Sequence, residues 1–145
     1  MRVPNEESGH SAAAAREVGA MLRGLPFHLD LLVHPCVTCE SLPDLLESGR
    51  FTAWIHLSHG DVTGGLYEPQ LKEYASPQRW LTCFTAYKSS LKLVIFSSCE
   101  SAHVARLFAE AGVGVAVGFR SKVLVRATGI LAQRVVPTAM REGSD

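Results

Sequence analysis

Apolar residues occur along this chain in short buried-type runs that alternate with amphipathic stretches. Residues 11–23 are rich in alanine and place their larger apolar side chains on one face, which predicts a helix. The preceding residues 1–10 are polar and are predicted to be disordered. An apolar run within residues 27–35 ends at a proline and predicts a buried strand.

The same alternation continues to the end of the chain. Further strands are predicted at residues 52–58, 91–98 and 113–119, and further helices at 41–49, 76–87, 101–111 and 126–141. Residues 61–75 contain glycines and a proline and are predicted to be mainly loop. Alternating strands and helices favour parallel strands joined by right-handed crossovers. The pattern therefore predicts a three-layer αβα sandwich with a mostly parallel sheet.

Composition excludes some classes of function but does not identify one. The 145 residues suit one domain, and Lys+Arg and Asp+Glu both number 14. A neutral chain has no general electrostatic reason to bind nucleic acid or an anionic membrane. The N-terminus lacks the apolar core of a signal peptide, so we expect a cytoplasmic protein. Four cysteines are too few for a disulfide scaffold in a domain of this size.

Candidate chemistry follows two of the predicted strands. The strand at residues 52–58 runs into His59 and Gly60, and the strand at 91–98 runs into Cys99. Carboxyl ends of parallel strands meet at one edge of a sheet, where a histidine can stabilise a cysteine thiolate. The backbone N–H groups of Gly60 and Cys99 are candidates for an oxyanion hole. The competing interpretation is that Cys99 is a small buried apolar residue and His59 part of a turn.

Three motifs resemble those of a known family. IHLSHGD, residues 55–61, resembles the histidine motif of caspases and their relatives, in which an apolar strand ends in Ser-His-Gly. LKLVIFSSCESAHVARLFAEAGVGVAVGF, residues 91–119, resembles the cysteine block of the bacterial CHAT family. KVLVRATGILAQRVVPTAMREG, residues 122–143, resembles the helix that follows in CHAT domains. The resemblance covers residues 27–143 and is carried by the order and spacing of the motifs.

The resemblance implies a caspase-like cysteine endopeptidase of clan CD. By motif position His59 is the base, Cys99 the nucleophile, and Gly60 and Cys99 supply the oxyanion-hole amides. It implies a protein or peptide substrate cut after a selected side chain, with no metal and no organic cofactor. It also implies a role in bacterial signalling, cell death or defence, with a sensor, an adaptor or a homologous caspase-like chain as partner.

The chain departs from the family pattern at its beginning. Caspase-like domains begin with a central strand, whereas residues 1–10 do not form a buried-strand pattern. We therefore expect a caspase-like domain at residues 11–145 that lacks this first central strand and is incomplete at its N-terminus. The alternative function is a catalytically inactive caspase-like module or subunit that binds a relative or an adaptor.

Acidic residues flank both candidate catalytic residues. Asp61 and Glu100 are candidates for orienting His59 or for attracting a basic substrate side chain. Capping of a neighbouring helix is the alternative, and it is favoured for Glu100. Gly64 and Gly65 indicate either a mobile loop over the site or a plain surface loop.

A CxxC motif offers a different chemistry. Cys36 and Cys39, together with His56 and His59, are four residues of the types that bind zinc, and a CxxC also suits redox chemistry. Two histidines three positions apart on a strand point to opposite faces, however, so they diverge. We therefore expect Cys36 and Cys39 to be loop cysteines, His56 to be packed on its strand, and no metal to be bound.

Overall fold

The computed structural model describes residues 4–26, 38–49, 51–60, 65–68, 72–84, 91–98, 100–120 and 125–143. Its helices are Pro4–Arg23 (α1), Leu42–Gly49 (α2), Pro77–Phe84 (α3), Ala102–Glu110 (α4) and Val125–Gly143 (α5). Its strands are Ala53–Leu57 (β1), Leu66–Glu68 (β2), Glu73–Ala75 (β3), Leu93–Ser97 (β4) and Val115–Val117 (β5). Within the described ranges, no helix combines the length and the apolar character needed to cross a membrane.

The strands β1, β4 and β5 form a parallel sheet with β4 in the middle. β1 and β4 pair along their whole length, up to Leu57 opposite Ser97. Parallel neighbours need crossover connections, and α3 and α4 lie on the two crossovers of this sheet. The predicted mixed α/β class and parallel sheet are therefore confirmed.

β4 holds the two halves of the core together. All five of its residues are buried, and the four apolar ones alternate between two hydrophobic clusters because successive strand side chains point to opposite faces. Val94 and Phe96 pack in the cluster covered by α3 and α4, whereas Leu93 and Ile95 pack in the cluster covered by α1 and α5. Helices therefore cover both faces of the sheet, as the alternation of strands and helices predicted.

The first helix begins earlier than predicted. It starts at Pro4, whereas the sequence predicts the helix from residue 11. Proline suits the first helical position because its fixed φ is helical and its missing N–H would have no partner there. The alanine run then continues the helix to Arg23.

Two polar residues close the turn before α2. The Thr38 carbonyl accepts the Leu42 N–H at 3.0 Å. The Thr38 hydroxyl accepts the Ser41 N–H at 3.1 Å, and the Ser41 hydroxyl accepts the Thr38 N–H at 2.9 Å. These reciprocal bonds precede the helix, which begins at Leu42, within one residue of the predicted start at 41.

The segment predicted to be mainly loop contains an antiparallel hairpin. β2 and β3 pair from Leu66 opposite Ala75 to Glu68 opposite Glu73. The predicted strand at 27–35 lies outside the described residues. Within the part of the chain that the structure describes, no strand pairs with the outer edge of β1. The expected lack of a first central strand stays a prediction.

His56 is packed inside the core, as predicted. Its ring lies against Trp54, Trp80 and Phe96, with centroid distances of 5.3, 5.0 and 6.2 Å. Burial among aromatic rings disfavours the charged imidazolium and lowers the pKa of His56 to about 4. The folded protein therefore holds His56 neutral where an exposed histidine would gain a proton.

Acidification should destabilise the fold through His56. The pKa of His56 in the unfolded chain is about 6.5. Below that pH the unfolded state binds a proton at His56, whereas the native state does not bind it until the pH is much lower. We expect this residue to remove about 2 kcal/mol of unfolding free energy between about pH 7.5 and about pH 5. Urea unfolding of wild type and His56→Phe at both pH values measures the difference in their pH dependence.

The matched control is His103→Gln, which removes an exposed histidine. It should retain the wild-type pH dependence. Equal pH dependence in His56→Phe and wild type would mean that His56 does not resist protonation in the folded protein.

Candidate active site

The carboxyl ends of β1 and β4 lie side by side. The last register pair is Leu57 with Ser97, and the next residues, Ser58 and Ser98, are hydrogen-bonded through their hydroxyl groups at 3.0 Å. Each of these serines directly precedes one of the two predicted catalytic residues in the sequence. The structure thus joins the chain positions next to His59 and next to Cys99, which are 40 residues apart.

The five predicted site residues divide into described and undescribed ones. His59 and Gly60 are half-buried and follow β1 directly, and Glu100 is exposed just before α4. Cys99 and Asp61 lie outside the described residues. The predicted convergence of His59 with Cys99 therefore stays a prediction, as does the orienting role of Asp61.

The hairpin holds the backbone at His59 and Gly60. The Tyr67 N–H donates to the His59 carbonyl at 2.8 Å, and Gly60 forms an antiparallel bridge with Leu66. The Tyr67–His59 hydrogen bond joins the neighbours of the bridged residues, so Gly60 and Leu66 form a non-hydrogen-bonded antiparallel pair. In such a pair, each residue points its own N–H away from the opposite strand. The Gly60 amide therefore points away from β2.

The turn after position 99 is held by Ser101. This serine is fully buried, and its hydroxyl donates to the Phe96 carbonyl at 2.7 Å and accepts the Phe119 N–H at 3.0 Å. Glu100 has a left-handed φ of 58°, which is uncommon for a residue with a side chain. The backbone on this side of position 99 is thus tightly constrained, while the Glu100 side chain projects to solvent.

Glu100 has no structural partner among the described residues. Ser101 precedes α4 as its N-cap and makes no side-chain capping bond. The favoured expectation that Glu100 caps this helix is not met by a hydrogen bond. Its exposed carboxylate lies beyond the carboxyl end of β4, the strand that pairs with β1.

The CxxC motif does not present a reactive thiol at Cys39. Cys39 is fully buried and its pKa is raised, first by burial and then by the neighbouring Glu68 carboxylate. A thiol kept protonated is a poor nucleophile and a poor metal ligand. Cys36 lies outside the described residues, and the described ranges contain no group of three or more His, Cys, Asp or Glu suited to a metal ion.

Two supporting features were missed from sequence. The hairpin that contacts His59 and Gly60 was hidden in a segment with glycines and a proline, and its strands of three residues each gave no periodic signal. The buried role of Ser101 had no sequence signal, because a serine at a helix start is usually an exposed cap.

Comparisons with known protein families, with curated proteins and with solved structures gave no match. The likeness to caspases and CHAT proteins therefore rests on the short motifs around His59 and Cys99 and on their order along the chain.

Gly118 should tolerate no side chain. A methyl group there would overlap the Ser101 carbonyl group and lie 2.8 Å from the Ala102 Cα, and both are backbone atoms that cannot rotate away. We expect Gly118→Ala to lower the unfolding free energy by about 2–3 kcal/mol, the usual cost of overpacking. Urea denaturation measures this.

The matched control is Gly24→Ala at an exposed position, where the added methyl lies 3.3 Å from the Met21 carbonyl oxygen. Its cost should stay below about 1 kcal/mol. Equal stabilities of the two variants would show that β5 and α4 do not approach as closely as described.

Proposed function

We propose that this chain is a caspase-like cysteine endopeptidase of three-layer αβα architecture, with Cys99 as nucleophile and His59 as general base. The observation that carries the proposal is the side-by-side end of β1 and β4, joined by the Ser58–Ser98 hydrogen bond. Each catalytic residue is the next residue after one of these serines. Rigid strand ends suit catalysis because they hold reacting groups with little conformational freedom.

The chemistry requires only groups of the chain and water. His59 takes the thiol proton of Cys99, and the thiolate attacks the scissile carbonyl carbon. His59 then gives the proton to the departing amine, which leaves a thioester between substrate and Cys99. Water activated by His59 hydrolyses the thioester and frees the acid product and the thiol. No metal or organic cofactor takes part in this proposed sequence.

The backbone supplies the proposed oxyanion site. A tetrahedral intermediate places negative charge on the former carbonyl oxygen, and preorganised N–H groups stabilise that charge. The amides of Gly60 and Cys99 are the proposed donors. Support comes from the Gly60–Leu66 bridge, which turns the Gly60 amide away from the hairpin and leaves no side chain beside it.

The proposed substrate, location and partner follow from the resemblance to caspases and CHAT proteins. We infer a protein or peptide substrate and a cytoplasmic role in bacterial signalling, cell death or defence. The exposed carboxylate of Glu100, and Asp61 as the neighbour of Gly60 in the chain, are the proposed contacts to substrate or to His59. A sensor, an adaptor or a homologous chain is the proposed partner.

Selective alkylation tests the dyad. With wild type, we expect iodoacetamide to modify Cys99 faster than any other cysteine, and His59→Ala to slow this modification by about a hundredfold or more. Mass spectrometry of proteolytic fragments identifies the modified residue. Cys39 is the internal control, because its burial and raised pKa should keep it almost unmodified.

The matched control variant is His103→Ala, which removes an exposed histidine of α4. It should leave the Cys99 rate unchanged, and Cys99→Ala should abolish peptide hydrolysis. A slow rate of Cys99 modification that is the same in wild type and His59→Ala would contradict the peptidase proposal. Such a result would favour the inactive interaction module instead.

A further inference from the structure

Glu68 is a buried carboxylate with a specific partner. It ends β2, it has no exposed surface, and its Oε1 accepts the Cys39 N–H at 2.5 Å. Cys39 lies in the Thr38–Ser41 turn that leads into α2, which begins at Leu42. A hydrogen bond from a backbone N–H to a buried carboxylate is stronger than one between neutral groups. Glu68 thus attaches β2 to the turn that opens α2.

The other side of the carboxylate is held more weakly. Arg79 Nη1 lies 3.9 Å from Glu68 Oε2 and 3.6 Å from Glu73 Oε1. The Arg79 and Glu73 side chains are 42% and 58% exposed, so water screens both ion pairs. The bond to Cys39, rather than the arginine, therefore determines where the Glu68 carboxylate sits.

β2 connects Glu68 to the proposed active site. The residue before Glu68 is Tyr67, whose N–H donates to the His59 carbonyl, and Leu66 bridges Gly60. A two-stranded hairpin is marginally stable unless other elements hold it. Outside the hairpin and the His59–Gly60 turn, β2 is attached by the packing of Leu66 in the core, by the Glu68–Cys39 bond and by the weaker Glu68–Arg79 ion pair.

We propose that Glu68 is a positioning residue for the His59–Gly60 turn. Its carboxylate fixes β2 on the turn that opens α2, and β2 fixes the backbone that carries the base and one oxyanion amide. Without the carboxylate, the Tyr67–His59 hydrogen bond opens more often and the turn leaves its reactive orientation. The effect of Glu68 on catalysis rests on the proposed function. The effect of Glu68 on the Tyr67–His59 hydrogen bond does not.

Amide hydrogen exchange, measured by NMR on the full chain, tests the effect of Glu68 on the Tyr67–His59 hydrogen bond. We expect Glu68→Ala to speed exchange at Tyr67 at least about tenfold more than at Ile95 and Phe96, whose amides in the central strand report global opening. Glu68→Gln keeps the acceptor oxygen and should stay within about threefold of wild type.

Glu73→Ala is the matched control, because it removes a carboxylate of the same hairpin near the same arginine but at an exposed position. It should leave Tyr67 exchange within about twofold of wild type. Parallel acceleration of Tyr67 and the central-strand amides in Glu68→Ala would overturn the proposal and reduce Glu68 to a general stabilising residue. Unchanged exchange at Tyr67 would overturn it as well.

If Glu68→Ala does not fold, a measurement on wild type tests the proposal instead. The proposal requires the Cys39 and Tyr67 amides to open together, so their exchange should respond equally to low concentrations of urea. Independent responses at the two amides would contradict the coupling through Glu68.

The effect of Glu68 on catalysis is read from the pH profile of Cys99 alkylation. We expect Glu68→Ala to lower the rate about tenfold and to weaken its dependence on His59, with recovery in Glu68→Gln. A wild-type rate in Glu68→Ala would overturn the catalytic part of the proposal. If wild-type alkylation is independent of His59, the peptidase assignment fails, while the exchange results still decide the role of Glu68.

Discussion

The fold depends on the direct parallel pairing of β1 with β4. β4 is buried on both faces, so its four apolar residues pack alternately in the cluster under α3 and α4 and in the cluster under α1 and α5. A one-residue slip of this register would exchange the two faces of the strand and misplace its apolar side chains. The pairing also brings the two chemically interesting strand ends together at Ser58 and Ser98.

Buried polar contacts then hold the chain where each strand ends. Ser101 ties the turn after β4 to Phe119, and the hairpin ties the turn after β1 through the His59 carbonyl. Such groups are costly to bury unless their hydrogen bonds are made, so they favour one backbone arrangement. β1 carries His56 in an aromatic environment inside the core, whereas His59, two residues beyond the end of the strand, is half-buried beside the hairpin.

Local pattern predicted most of the elements. The apolar run of β4, the helix closed by Gly112 and the helix opened by Ser76 and Pro77 were all expected, because their signals lie within a few residues of each other. The hairpin was missed since its strands have only three residues each, which is too short for a period to be recognised. The start of α2 was predicted within one residue of Leu42, whereas the reciprocal bonds of Thr38 and Ser41 before it were not predicted.

The sequence by itself determined the α/β class, the buried central strand and the position of His59 and Cys99 after apolar runs. Periodicity and turn residues encode these features, and both are local properties of the chain. Only the tertiary structure decided that Glu68 would contact Cys39 and that Ser58 would contact Ser98. These partners are 29 and 40 positions apart, and their meeting depends on strand register and helix packing, which no local pattern specifies.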